Sequence, residues 1–210
     1  MTEQTIVIPP LNTKVIELVL IGDNSLICHK FSEKAKKQIE DKQQKKAKGG
    51  REKRKPEEEF KQSLHVLNGQ KDFKKQEFGF PAGGLKKAML WVAADIEGVA
   101  GTQVKRHLHV LADDGNLLKI HGDRPRMRED WVRIARGTTD MRYRGEFLNW
   151  HLKPKIKYNA DIFSPEQVIN LINHAGCECG VGEWRPGSPK SPGDHGIFHV
   201  ATEEERKALK

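Results

Sequence analysis

The chain is short of cysteine, of aromatic residues and of long apolar runs, and each shortage closes off a class of protein. Three cysteines in 210 residues, two of them spaced as Cys177-Glu178-Cys179, cannot build a disulfide framework, which fits a reducing compartment. The most apolar stretch, Val15 to Ile21, is interrupted by Glu17, so neither a membrane span nor a membrane partner is expected. Met1-Thr2-Glu3-Gln4-Thr5 lacks the basic and apolar regions of a secretion signal, and the expected location is a cytoplasm. There is no Walker Gly-Lys-Ser/Thr, no His-Glu-x-x-His, no Gly-x-Ser-x-Gly and no carboxylate cluster. Accordingly, no cofactor, no metal and no catalytic residue is assigned.

What is present is positive charge, and it is uneven. Of the formal +8, residues Glu33 to Lys61 carry +5, from twelve basic side chains of which ten are lysine. Arg124 to Arg144 carries +4 from seven arginines and no lysine. Everything else sums to −1. A nearly neutral body thus bears two basic segments of different chemistry.

Hydrophobic patterning supplies the elements. Lys14 to Ile21 reads as a mostly buried strand ending at Gly22-Asp23-Asn24. Ser32 is an N-cap for a helix whose apolar anchors are Ala35 and Ile39, and residues from about Asp41 to Glu59, polar on every side, are expected to be mobile. Leu85, Ala88, Met89, Val92, Ala93 and Ile96 recur at helical spacing, with Gly98 as a stop. His107–Leu111 and Leu117–Ile120 flank Asp113-Asp114-Gly115-Asn116, which predicts a hairpin. From Trp150 to Tyr158 apolar residues take even positions, so Lys153, Lys155 and Lys157 share one face of a strand. Ser164, Pro165 and Gln167 make a capping box, with Phe163 placed to staple Val168 and Gly176 as the stop. A Gly/Pro-rich stretch then leads to a last apolar run, Ile197–Val200, and a fraying tail. The order predicts an α+β fold, most economically a ferredoxin-like antiparallel sheet with two helices on one face. One domain over 1–210 would carry a mobile basic insertion at about 33–61 and a Gly/Pro loop at about 176–196.

Arginine offers a planar fork that pairs with phosphate oxygens and stacks on bases. Arg124, Arg126, Arg128, Arg133, Arg136, Arg142 and Arg144 are therefore candidate nucleic-acid contacts, against the alternative of surface bridges to Asp123, Glu129, Asp130 and Asp140. Lys45, Lys46, Lys48, Arg51, Lys53 and Arg54 are a second group, against a solvated linker. Lys153, Lys155 and Lys157 add a basic strand face. In the Gly/Pro stretch, Trp184, Arg185 and Lys190 beside backbone amides at Gly180, Gly182, Gly187, Gly193 and Gly196 fit a phosphate path. A plain surface loop has the same composition. Cys177, Cys179, His107, His109, His195 and His199 lack metal-site spacing. His29 is a candidate general base for RNA cleavage, against a partly buried structural histidine.

Gly22-Asp-Asn-Ser-Leu-Ile-Cys-His29, Met127-Arg-Glu-Asp130, Arg142-Tyr-Arg-Gly-Glu-Phe147 and Gly180-Val-Gly-Glu-Trp-Arg-Pro186 resemble a group of uncharacterised proteins of tailed bacteriophages and prophages. Phe80-Pro-Ala-Gly-Gly-Leu-Lys-Lys-Ala-Met89 is similar to the helix entry of the RAMP superfamily, the RRM-like backbone subunits of CRISPR effector complexes. The first resemblance implies a host bacterial cytoplasm. The second implies an RRM-like core, side-by-side self-association and nucleic acid along the assembled surface, carried here by Pro81, Leu85, Lys86 and the glycines from Gly180 to Gly196. No catalytic Asp or His matches that pattern. The expectation is a phage-encoded single-strand nucleic-acid-binding protein, DNA or RNA, forming homo-oligomeric rings or filaments in replication or recombination. A non-enzymatic assembly or host-takeover protein, binding a phage or host protein, is the alternative; a RAMP-like nuclease is a third.

Overall fold

The computed structural model describes residues 8–31, 33–44, 53–134 and 138–209. In chain order these form β1 (Thr13–Glu17), β2 (Leu20–Gly22), β3 (Leu26–Cys28), α1 (Glu33–Gln43), α2 (Pro56–Gln62), β4 (His65–Val66), β5 (Phe78–Pro81), α3 (Ala82–Val92) and α4 (Gly101–His107). The second half supplies β6 (Leu108–Leu111), β7 (Leu117–Gly122), β8 (Arg126–Ile134), β9 (Thr138–Phe147), β10 (Trp150–Leu152), β11 (Lys155–Asn159), α5 (Pro165–His174), β12 (Phe198–Val200) and α6 (Glu203–Ala208). The class is α+β.

Three sheets are formed, in the orders β1-β11-β6, β12-β2-β10-β7-β5-β4 and β3-β9-β8. The first two run into each other, because β1 continues into β2, β10 into β11 and β6 into β7, and Leu18 N donates to Pro154 O at the joint (3.1 Å). Counted as ribbons, the order is β12, β1/β2, β10/β11, β6/β7, then β5 and β4, with every pairing antiparallel. One side of this layer is the core. Leu20, Leu118, Leu152, Ile156 and Tyr158 from the strands meet Leu85, Met89 and Val92 of α3 and Val168, Leu171 and Ile172 of α5 in one buried cluster. The alternate positions, among them Val15, Leu111, Lys155 and Lys157, face solvent, as the two-residue period of a strand requires.

Several sequence expectations need correction. β6 and β7 do not form a hairpin. Leu108–Leu111 pairs with β11 and Leu117–Gly122 with β10, so both run in one direction along the same neighbouring ribbon. Asp113–Asn116 is a loop pushed out of that line, closed by the bridge Asp114↔Leu117; a two-residue hairpin signal cannot tell a return from a detour. The first strand is not mostly buried either, since all of β1 except Ile16 is exposed. The stretch expected to be mobile as far as Glu59 contains the start of α2, which Phe60 anchors in the core. The tail forms α6 behind a capping box of Thr202 and Glu205. α5 has the expected cap, Ser164 accepting from Gln167 N while the Gln167 side chain accepts from Ser164 N. It does not stop at Gly176: a π-turn over Ala175–Cys179 carries the chain to Gly180 at φ +66°. Gly176 is needed for close approach instead, because a Cβ there would sit 2.0 Å from Phe198 O.

Candidate functional site

The arginine segment folds as the β8–β9 hairpin, in which Arg126, Arg128 and Asp130 face Glu146, Arg144 and Arg142 across the ladder. Alternation puts these charges on one side of the ribbon, and at its base that side is buried. Arg144 is 1% exposed, with Asp130 and Glu146 buried beside it. Arg144 Nη1 reaches Asp130 Oδ2 (3.3 Å) and Nη2 lies 3.7 Å from Glu183 Oε2. Arg128 spans Asp130 Oδ1 and Glu146 Oε1, both at 2.8 Å, and Arg126 Nε donates to Glu146 Oε2 (2.7 Å). Burial by itself would raise the Glu146 pKa, but the hydrogen bonds from Arg126, Ser25 and Arg128 outweigh it and hold the carboxyl below its ordinary value.

Arg144 is thus closed to a ligand arriving from solvent, and Arg128 and Arg126 are bound to carboxylates. This corrects the reading of Arg126, Arg128 and Arg144 as phosphate contacts in favour of ion pairs, two of whose carboxylates, Glu146 and Glu183, lie outside Arg124–Arg144. Arg124 is occupied as well. It donates to Gln76 O and Phe73 O, and its guanidinium lies 5.2 Å from the Phe73 ring centre. Arg142 lies 4.0 Å from Asp140, and Arg133 is exposed toward the far end of the ribbon with Trp131, 71% exposed. Arg54 is bound to Glu59 and Asp140, whereas Lys53 is exposed. Lys45, Lys46, Lys48, Arg51 and Arg136 lie outside the described residues.

The Gly/Pro loop docks on the hairpin. Trp184 adopts φ +54°, a conformation that costs a bulky side chain on the order of 1–3 kcal/mol. Its ring lies 5.2 Å from the guanidinium carbons of both Arg128 and Arg144, and such contacts offset part of that cost. Trp184 therefore anchors the loop. The amides of Gly180, Gly187 and Gly196 donate to Ala175 O, Cys179 O and Ser25 O, so they do not line a phosphate path as the composition suggested. Ser25 Oγ is 2.8 Å from Glu146 Oε1 and 2.9 Å from His195 Nδ1. The single hydroxyl proton goes to the carboxylate, which can only accept, and His195 Nδ1 must then donate. Glu146, held below its ordinary pKa by these hydrogen bonds, is a weak base for the Ser25 proton.

Between this loop, β3 and α3 lies a cleft of about 680 Å³. It brings together three segments singled out in the sequence: His29, the Pro81–Lys87 helix entry and Gly182–Pro186. His29 is exposed in it, and Nδ1 accepts from Arg144 Nε (3.3 Å). Crowding by the cleft walls, then Arg144, lowers its pKa, so the ring is neutral at pH 7. Its one lone pair is already engaged, which a general base cannot afford. Lys86, one of the positions that carry the resemblance at the helix entry, does not line the cleft. Its ammonium donates to Val104 O (2.5 Å) and Leu108 O, and burial lowers its pKa to about 8. Leu85 is fully buried core. Arg185 donates to Gly182 O (2.8 Å) while lining the cleft, and Lys190 is exposed.

The solvent face of the main sheet is a second assembly of polar groups. Lys153, Lys155 and Lys157 are exposed, with Ile156 and Tyr158 turned into the core as expected. Lys155 lies 3.1 Å from Glu17; Lys153 and Lys157 have no ion-pair partner among the described residues. Next to them His151 of β10 pairs with His121 of β7, rings stacked at 4.9 Å and 15°. Burial first, then His121 and Lys153, lowers the His151 pKa to about 4, and His121 is lowered for the same leading reason. Both rings are neutral at pH 7. These two histidines were missed in the sequence because they lie thirty residues apart, and only strand pairing makes them neighbours. His107 ends α4, so it does not share a strand face with His109. Cys177 is exposed and Cys179 buried, and among the described residues no three His, Cys, Asp or Glu side chains are grouped to hold a metal ion. No helix among them is long and apolar enough to cross a membrane. Compared with known families and with curated proteins, the chain matches no family model and no curated sequence, so the meaning of the site rests on its own residues.

Proposed function

We propose that this is a non-catalytic protein that binds single-stranded nucleic acid on the solvent face of its main sheet. The carrying observation is the stacked His121–His151 pair beside Lys153, Lys155 and Lys157. Neutral aromatic rings offer a face to an unpaired base, and the lysines offer charge to its phosphates. The ribbon order reinforces this reading. With β1/β2, β6/β7, β10/β11 and β12 numbered one to four, these ribbons run four-one-three-two, β5 and β4 extending the sheet beyond β7, with α3 and α5 covering one face. We take this as a ferredoxin-like, RRM-like core, in which the uncovered face is the one that meets RNA or DNA.

Self-association into a ring or filament belongs to the proposal. It is supported by the β8–β9 ribbon, whose outer edge at β8 pairs with no other strand among the described residues. A phage or prophage setting, in replication or recombination, rests on the four sequence motifs. A nuclease is disfavoured by the occupied lone pair of His29.

The test is fluorescence anisotropy with labelled 20-nucleotide DNA and RNA across a salt series, with size-exclusion chromatography alongside. The expected result is an affinity that falls linearly in log salt, with a slope of about 0.7 per phosphate contact. Absent or salt-independent binding overturns the proposal and leaves the protein-partner alternative. Shortened labelled strands after incubation with divalent metal overturn its non-catalytic part.

A further inference from the structure

The cleft between the glycine-rich loop and α3 has no part in strand binding on the sheet face, and its chemistry is distinct. At about 680 Å³ it falls within the roughly 300–1,000 Å³ range of small-ligand sites. Its walls combine an aromatic surface, two cations, two imidazoles and one carboxylate, Glu183, whose charge Arg144 faces at 3.7 Å. Trp91, 46% exposed on α3, stands one turn beyond Lys87, which is exposed and without a partner among the described residues. Residues four apart on a helix lie on one face, so an indole and an ammonium are offered side by side. Arg185 adds a second positive charge from the opposite wall, and Phe80 closes the cleft with apolar surface.

His29 and His65 complete it. Crowding by the surrounding walls is the main cause of a lowered pKa for each, with Arg144 acting further on His29 and Lys30 on His65. Uncharged rings can exchange hydrogen bonds with a neutral ligand edge and cost little to desolvate. Because His29 Nδ1 accepts from Arg144, its Nε2 carries the proton and is a fixed donor. A ligand for these walls is planar at one end, anionic at the other, and has hydrogen-bonding groups along its plane.

We infer that this cleft holds one unstacked nucleotide, its base against Trp91 and its phosphate between Lys87 and Arg185. The inference rests on the nucleic-acid reading and deepens it, since the strand would place a single base or a free end here. Lys87 and Trp91 are exposed, so neither is needed to fold the chain, and their loss reports on binding.

Calorimetric titration of the full chain with adenosine 5′-monophosphate, uridine 5′-monophosphate, adenosine and inorganic phosphate tests it, with the 20-nucleotide strand titrated in parallel. A mononucleotide is expected to bind, Trp91→Ala to weaken it by about tenfold, and Lys87→Ala to weaken the monophosphate but not the nucleoside. Inorganic phosphate binding as tightly as the monophosphate means an anion site and overturns the inference. So does mononucleotide binding indifferent to both substitutions. If the strand binds and no mononucleotide does, the pocket is refuted while the sheet-face reading stands. If neither binds, both fall.

Discussion

The arginines of the β8–β9 hairpin and the lysines of the β10–β11 ribbon carry charge of the same sign, and the fold uses them in opposite ways. At the base of the hairpin the guanidinium groups are turned inward onto Asp130, Glu146 and Glu183, and one of them, Arg144, is sealed from water. On the ribbon every lysine is exposed, and among the described residues only Lys155 has a carboxylate beside it. The difference follows from geometry. A guanidinium presents five donors in a plane and can satisfy two carboxylates at once, so it can be buried in a network. An ammonium on a flexible stem is strongly hydrated and is better left in solvent. A run of arginines is therefore as good a sign of an internal ionic network as of a phosphate surface, provided the fold brings carboxylates to the same face.

The sharpest way to break the comparison is Arg144→Ala. It leaves Asp130 buried with one partner fewer, and a loss of about 3–5 kcal/mol in urea unfolding is expected; a loss under 1 kcal/mol would mean that the network is ornamental. Next in size is the triple substitution of Lys153, Lys155 and Lys157 by Gln. Single-strand affinity at 0.1 M salt is expected to fall roughly a hundredfold and the salt slope by about 2, with stability unchanged within about 0.5 kcal/mol. If stability falls and binding does not, the two regions have exchanged roles. The smallest effect is on the pH dependence of folding. His151 has a folded value of about 4 against 6.5 unfolded, so between these values the unfolded chain binds more protons. Stability is then complete above about pH 6.5 and declines as pH falls toward 4. His151→Gln should flatten that part of the profile, and an unaltered profile would show that the ring is not held neutral.

How much could be read in advance depended on whether a signal was local. The cap of α5 is written within Ser164–Gln167, and the face of β11 within a period-two run, so both were legible. The α3 stripe was found too, although the helix ends at Val92 and Ile96 lies beyond it. The hairpin β8–β9 was not recognised as strands at all. Its period of two is carried by charges that pair across the ladder, Asp130 and Glu146 among them, with Glu183 and Ser25 added from far away in sequence, and alternation of buried charge looks like alternation of exposed charge. The His121–His151 pair and the cleft share that non-locality, since each needs the sheet order before its residues become neighbours.

The loop Asp113–Asn116 has a consequence beyond its misreading as a hairpin. On either side of it the pairing of β6 with β11 and β7 with β10 is maintained, although one ribbon spends eight residues between Leu111 and Ile120 where the other spends two between Leu152 and Lys155. Chain length at this point is uncoupled from sheet register. A Cβ at its tip, Gly115, would meet nothing within 4 Å. The ribbon thus contains a built-in port at which related chains can gain or lose residues, and where an inserted epitope would be displayed while the sheet on both sides keeps its partners.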